Sequence, residues 1–254
     1  MSIQIVRSTE AKAPSLVMCI YSMGGVGKTT LATTAPKPIF LDAENGTKAL
    51  GARGIDVPII NLKSWADVAE AWGMIKDSKE YETVVIDPIG SFLDLLVESV
   101  RGGADMNLKK WGEAKDRMRR FIITVKDSGK HVAFIAHEKE EKDDDQVLRR
   151  PMLQANLWQE LVNLCDGVGH LRVDAQGKRL LRVQPEHKYY AKDRFDALGD
   201  LVFVPDISES RDVIANMIKT VHTAYDKPPF EDKPVASTSS HAEKMKKGID
   251  EVKQ

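Results

Sequence analysis

The chain has 254 residues, 30% of them charged and 42% hydrophobic, and its 37 basic and 38 acidic side chains leave a net charge of −1. That length suits one sizeable α/β domain plus a small appendage, and the charge balance excludes a global pull toward nucleic acid or membrane, so any such contact must come from a local patch. No apolar run reaches membrane-spanning length, residues 1–14 lack a secretory core, and Cys19 and Cys165 form no metal or redox spacing, a pattern expected of a cytoplasmic protein.

Residues 1–12 read as a leader, and the first element is an apolar run at 16–21, a short buried strand. It feeds Ser22-Met23-Gly24-Gly25-Val26-Gly27-Lys28-Thr29-Thr30, and residues 31–35 then start a helix. Strand, glycine-rich turn, Lys-Thr and helix make a phosphate cradle: backbone N–H groups point inward, and a helix N-terminus adds partial positive charge. Lys28 would reach the β- and γ-phosphates, and the Thr29 hydroxyl would hold Mg²⁺. Ser22 stands where the pattern G-x-x-x-x-G-K-[ST] has its first glycine; serine is small enough for close approach, but a positive φ there would be costly.

Strand-length apolar runs recur at 38–41, 57–62, 83–86, 131–136, 168–173 and 180–183. Between the early ones lie helices. Ser64 caps one bearing Trp65, Val68, Ala69, Trp72 and Ile75; a second carries Phe92, Leu93, Leu95, Leu96 and Val100. Asn107 opens a third, whose apolar stripe runs Leu108, Trp111, Met118, Phe121, Ile122 and Val125 and ends at Ser128-Gly129. Asp174-Ala175-Gln176-Gly177 marks a hairpin turn between the last two strands. The expected fold is α/β: a mostly parallel sheet flanked by helices, with an antiparallel edge hairpin. The core spans 13–226; proline and serine enrichment makes 227–254 a flexible linker and charged tail, read as disordered or as a partner-binding peptide.

A phosphate loop needs a carboxylate at a buried strand end to organise Mg²⁺, and Asp87, closing Thr83-Val84-Val85-Ile86, is the candidate. The position after it, where many nucleotide hydrolases carry a glutamate base, is Pro88. Glu44, after Phe40-Leu41-Asp42-Ala43, offers another carboxylate; its chemistry alone fits a water-orienting base or a solvated turn residue equally. His137 at the next strand end is placed to contact a γ-phosphate, or is an ordinary strand-end histidine.

Together these residues resemble the RecA-like branch of P-loop NTPases, and more narrowly the phage-encoded "Sak-four" group of single-strand annealing ATPases. The carrying features are S-M-G-G-V-G-K-T-T, F-L-D-A-E-N-G-T, V-V-I-D, a Trp-containing helix before H-V-A-F-I-A-H-E, and K-D-R at 192–194, over about residues 13–205. The resemblance implies a RecA-like core that hydrolyses ATP to ADP and phosphate with Mg²⁺, with Glu44 as general base and His137 as sensor. It implies a homo-oligomeric ring or filament in which Lys192 and Arg194 complete a neighbour's site, the alternative being ordinary surface charges. It implies single-stranded DNA held by segments 101–107 and 138–155, through Arg101, Arg149 and Arg150, and a tail that meets a single-strand-binding protein. The acidic start of 138–155 counts against DNA contact by that whole segment. RecA's adenine-stacking tyrosine has no aromatic counterpart after Glu44, so the base contact is undefined. Partition-type ATPases share the loop but have a lysine at the place of Met23, and immune-switch ATPases have paired aspartates where Asp87-Pro88 stands. The rival function is a nucleotide-dependent switch or assembly ATPase acting on a protein partner without DNA.

Overall fold

The computed structural model describes residues 13–143, 146–154 and 156–225. The leader and the tail expected at the two ends lie outside these residues. Strand β1 (Val17–Ser22) precedes helix α1 (Lys28–Ala32), then β2 (Pro38–Asp42), α2 (Lys48–Gly51), β3 (Ile59–Asn61), α3 (Trp65–Ile75), β4 (Thr83–Asp87), α4 (Ile89–Arg101) and α5 (Leu108–Lys126). The long strand β5 (His131–Asp143) follows, then β6 (Gln146–Pro151), α6 (Leu157–Leu164), β7 (Gly167–Val173), β8 (Arg179–Arg182), β9 (Lys192–Asp193), β10 (Leu201–Val204) and α7 (Val213–Tyr225).

The strands form a ten-stranded sheet in the order β10-β8-β7-β1-β5-β4-β2-β3, with β6 added to β5 and β9 to β7. From β7 to β3 all neighbours are parallel, while β7, β8 and β10 pair antiparallel. Every residue of β1 and β4 is buried, as strands covered on both faces require. Strand alternation sorts β1 into two cores. Val17, Cys19 and Tyr21 face one built with α3, α4, α5 and α6; Met18 and Ile20 face the other, with α1 and α7. Among the described residues no helix is long and apolar enough to cross a membrane.

Ser64 Oγ accepts from the Asp67 N–H while the Asp67 carboxylate accepts from the Ser64 N–H, a reciprocal cap that starts α3. Asn107 likewise caps α5. The α5 stripe begins later than its spacing suggests: the first buried side chain is Ala114, whereas Leu108 is 92% and Trp111 38% exposed. The buried apolar side chains of α5 all follow this first turn.

Two segments carry interactions that the sequence does not announce. Segment 138–155 is mainly a hairpin: β5 continues past His137 and pairs with β6 from Glu138↔Pro151 to Asp143↔Gln146. Opposed charges zip it. Arg149 bonds Glu140 at 2.7 Å and approaches Glu138 at 3.2 Å; Arg150 pairs with Glu141 and lies over the Trp158 ring, 5% exposed. Lys192 and Arg194 are tethered within their own subunit. The Lys192 amine donates to the carbonyls of Val162, Asn163 and Cys165 at the end of α6, at 3.0, 3.2 and 2.7 Å. Arg194 bonds Asp166 at 2.7 Å, and Asp166 also accepts from the Val17 N–H. These residues sit at the N-terminal end of β1, away from its own phosphate loop, and their bonds within the subunit are those of a helix cap.

Lys192→Met should therefore lower the thermal midpoint by roughly 4–8 °C, since charge-assisted bonds of this kind are worth about 2 kcal/mol and each kcal/mol moves a domain of this size by about 2–4 °C. Calorimetry on the full chain measures it; an unchanged midpoint would mean that the cap carries no stability.

Candidate functional site

The site is built at the C-terminal ends of four adjacent parallel strands, β1, β5, β4 and β2. Register sets it: Ser22 on β1 pairs with His137 on β5, and Asp42 on β2 pairs with Asp87 on β4. Residues 22–27 turn out of β1 in a loop that needs glycine at two places, Gly25 at φ 79° and Gly27 at φ 109°. Ser22 is not among the residues with positive φ, so serine costs nothing there. A Cβ at Gly24 or Gly25 would meet nothing within 4 Å; the loop is an open cradle. Helix α1 has only five residues, so the loop N–H groups and Lys28, rather than a long helix dipole, supply its positive potential.

Lys28 is 7% exposed, and its amine is held by the Ser22 and Met23 carbonyls at 3.0 Å each and by the Ser22 hydroxyl at 3.3 Å. Among the described residues it has no carboxylate hydrogen-bond partner, and burial lowers its pKa against the pull of Asp87, Glu138 and Glu44. Thr29 Oγ1 donates to Asp87 Oδ2 at 2.6 Å, so the two expected metal groups meet. Burial pushes the Asp87 carboxyl up to about 6 despite that bond and nearby Lys28. Among the described residues no group of three His, Cys, Asp or Glu side chains could hold a metal. Thr29 and Asp87 fit a Mg²⁺ completed by phosphate oxygens and water, the usual form of such sites, and a divalent charge there would relieve the buried carboxylate.

Glu44 projects into the same cleft. The Ser91 hydroxyl on α4 donates to its Oε1, and His137 Nε2 stands 3.5 Å from its Oε2. Its side chain is 46% exposed, open to water. The turn that presents it is fixed by Asp42, 2% exposed, whose carboxylate accepts from the N–H groups of Glu44, Gly46 and Thr47 and from the Thr47 hydroxyl. Asn45 takes the left-handed conformation this turn requires, φ 57°.

The cleft, about 220 Å³, thus joins Gly24, Gly25, Gly27, Lys28, Thr29, Thr30, Glu44, Asp87 and His137. Val26 packs into the core beside it and offers its carbonyl to Arg179 Nε at 3.1 Å. Arg101, Arg149, Arg150, Lys192 and Arg194 do not line it. Four neighbours escaped the sequence reading. Asp42 lay inside the quoted F-L-D-A-E-N-G-T, and its spacing to Gly46 and Thr47 is the signal of a carboxylate-ordered turn. Ser91, Arg53 and Arg179 had no local signal; Arg53 Nη1 donates to Thr30 Oγ1 at 3.0 Å.

Asp87 is a costly residue to leave charged. Its folded pKa lies above the unfolded carboxylate value of about 3.9, so its ionisation destabilises the fold progressively as pH rises through about 4 to 6 and fully above that. Asp87→Asn should raise the thermal midpoint of the nucleotide-free protein at pH 8 but not at pH 4, and should abolish Mg²⁺-dependent nucleotide binding. A lower midpoint at pH 8 would contradict this account of the buried charge.

The family described as AAA domain matches residues 15–195. A similar protein is the SPbeta prophage-derived uncharacterized protein YorG of Bacillus subtilis (strain 168), 25% identical over 213 residues, which cover 76% of this chain. The chain spans only 62% of that relative's length.

Proposed function

This chain belongs to the AAA domain family, and from that membership we propose that it couples Mg²⁺-dependent ATP hydrolysis to the binding of single-stranded DNA, promoting strand annealing or pairing. The observation that carries the hydrolytic half is Glu44: a water-exposed carboxylate oriented by Ser91 and His137 beside the phosphate loop. A carboxylate so placed can take the proton of an attacking water, while Lys28 and the loop N–H groups balance charge developing on the phosphoryl oxygens. Thr29 and Asp87 would hold the Mg²⁺, which supplies further charge neutralisation when bound.

The DNA half is supported by position and by the relative's prophage origin. His137 lies on the strand that continues into the β5–β6 hairpin, and Asp87 directly precedes α4, whose end leads through Arg101-Gly102-Gly103 to α5. There Leu108 and Trp111 are exposed beside Lys109, Lys110 and Arg101, an aromatic face among cations of the kind on which unstacked bases rest. Arg149 and Arg150, neutralised by Glu138, Glu140 and Glu141, are weaker candidates. That neutralisation favours the second reading, a nucleotide switch acting on a protein partner. In the DNA reading the working form is a homo-oligomeric ring or filament.

ATP turnover with and without single-stranded DNA separates the two. Glu44→Gln should keep ATP binding and lose turnover by about 10²-fold or more, the scale of a positioned base; normal hydrolysis by this variant would place the base elsewhere. Trp111→Ala should weaken single-stranded DNA binding by about 1–3 kcal/mol, the scale of one stacked base. Turnover indifferent to DNA, together with no DNA binding in the presence of ATP, would select the protein switch.

A further inference from the structure

Strand β10 closes the sheet on its antiparallel side, and among the described residues it pairs with β8 alone. We propose that this edge is a docking site for a protein partner, which adds an extended segment to the sheet there. The segment carries alternating apolar side chains, with lysine or arginine at its ends. The proposal does not depend on the nucleotide reading above.

The backbone is the first support. The Val183 N–H donates to the Asp200 carbonyl at 3.1 Å, and the register runs from Leu201↔Arg182 to Val204↔Arg179. Bonded and non-bonded pairs alternate in an antiparallel ladder, so Val202 and Val204 turn their N–H and C=O groups to β8. Those of Leu201 and Phe203 point outward, a template for another strand. The side chains of these two residues are 39% and 52% exposed, where an edge guarded against such pairing would carry charge.

The groove and its charge are the second. A cavity of about 370 Å³ opens along β10 and is walled on its other side by Asn216, Met217 and Thr220 of α7. Leu201, Val202 and Phe203 all line it, so it lies beside the strand rather than over one face. An added strand would set alternate side chains against α7 and the others beside Leu201 and Phe203. Exposed aspartates flank these segments: Asp200 precedes Leu201, Asp206 follows Pro205, and Asp212 precedes Val213. Arg179 lies 3.9 Å from Asp206, and Arg211 and Lys219 are the cations on the α7 side. Basic ends on the added segment complement Asp200 and Asp212. The same charges count against a second copy. Antiparallel pairing of β10 with itself would bring Asp200 of each copy to the end where the other carries Asp206.

The test titrates the full chain with a labelled peptide in which valine and threonine alternate between a pair of lysines at either end. It should bind in the micromolar range, weaken with salt, and slow hydrogen exchange at the Leu201 and Phe203 amides. The same peptide N-methylated at alternate residues cannot join a ladder, and a peptide with glutamates for lysines meets the aspartates. Each should bind more weakly by about tenfold or more. Phe203→Pro removes an outward N–H and no bond to β8, a change that edge strands accept, and should weaken the lysine peptide by as much. Should that variant fail to fold, Asp200→Lys, just before β10, should weaken the lysine peptide and tighten the glutamate one. No binding of the lysine peptide, or equal binding of its N-methylated form to the unaltered chain, would overturn the proposal. So would a sedimentation mass that falls on Phe203→Pro, since a second copy would then be what covers the edge.

Discussion

The parallel pairing of β1 with β5, and of β2 with β4, is the constraint on which the site depends. Ser22 opposite His137 and Asp42 opposite Asp87 are consequences of register, and register is fixed because every residue of β1 and β4 is buried. A slip of one residue would turn Val17, Cys19 and Tyr21 toward the wrong core. Asp87 and His137 thus issue from the strands themselves, while Lys28 follows the glycine turn and Glu44 is presented by the Asp42-ordered turn. Strand β5 lies between β1 and β4, so His137 comes between the phosphate loop and the metal carboxylate.

Three buried charges then differ by their partners. Asp42 accepts four hydrogen bonds and is structural. Lys28 is stabilised by neutral carbonyls and keeps its charge available to an anion. Asp87 has one hydroxyl donor and is otherwise desolvated, the condition of a group whose proper partner is a cation. The same residue type is scaffold at Asp42 and a desolvated carboxylate at Asp87 because N–H groups of 44–47 surround one and not the other.

What sequence could convey followed from how local each signal was. The phosphate loop, the Ser64 and Asn107 caps, the Asp174–Gly177 turn and the buried strands are written in short patterns, and the structure has them. Helical spacing could not say where α5 begins to be covered, because burial of Leu108 and Trp111 depends on what else reaches that turn. No local pattern announces the hairpin, because Glu138-Lys139-Glu140-Glu141-Lys142 has no apolar alternation; its pairing is carried by charges on a strand still to come. The tripeptide Lys192-Asp193-Arg194 does not reveal that the end of α6 lies beside it. Arg53 and Arg179 reach the loop from distant segments, and no local pattern announces either.

The near-zero net charge acquires a structural meaning from these pairings. Arg149, Arg150 and Arg194 are each matched by a carboxylate within their own subunit, and Arg179 has Asp206 nearby. Matched cations attract a polyanion weakly, since the partner carboxylate must first be displaced or left close to phosphate. Cations with weaker ties lie in the first turn of α5, next to the exposed Trp111. Lys110 there donates to the Arg101 carbonyl, and Arg101 lies 3.7 Å from Glu98, so the patch is ordered and Arg101 is itself partly matched. Local arrangement, which a charge total conceals, decides which of this chain's cations are matched within the subunit.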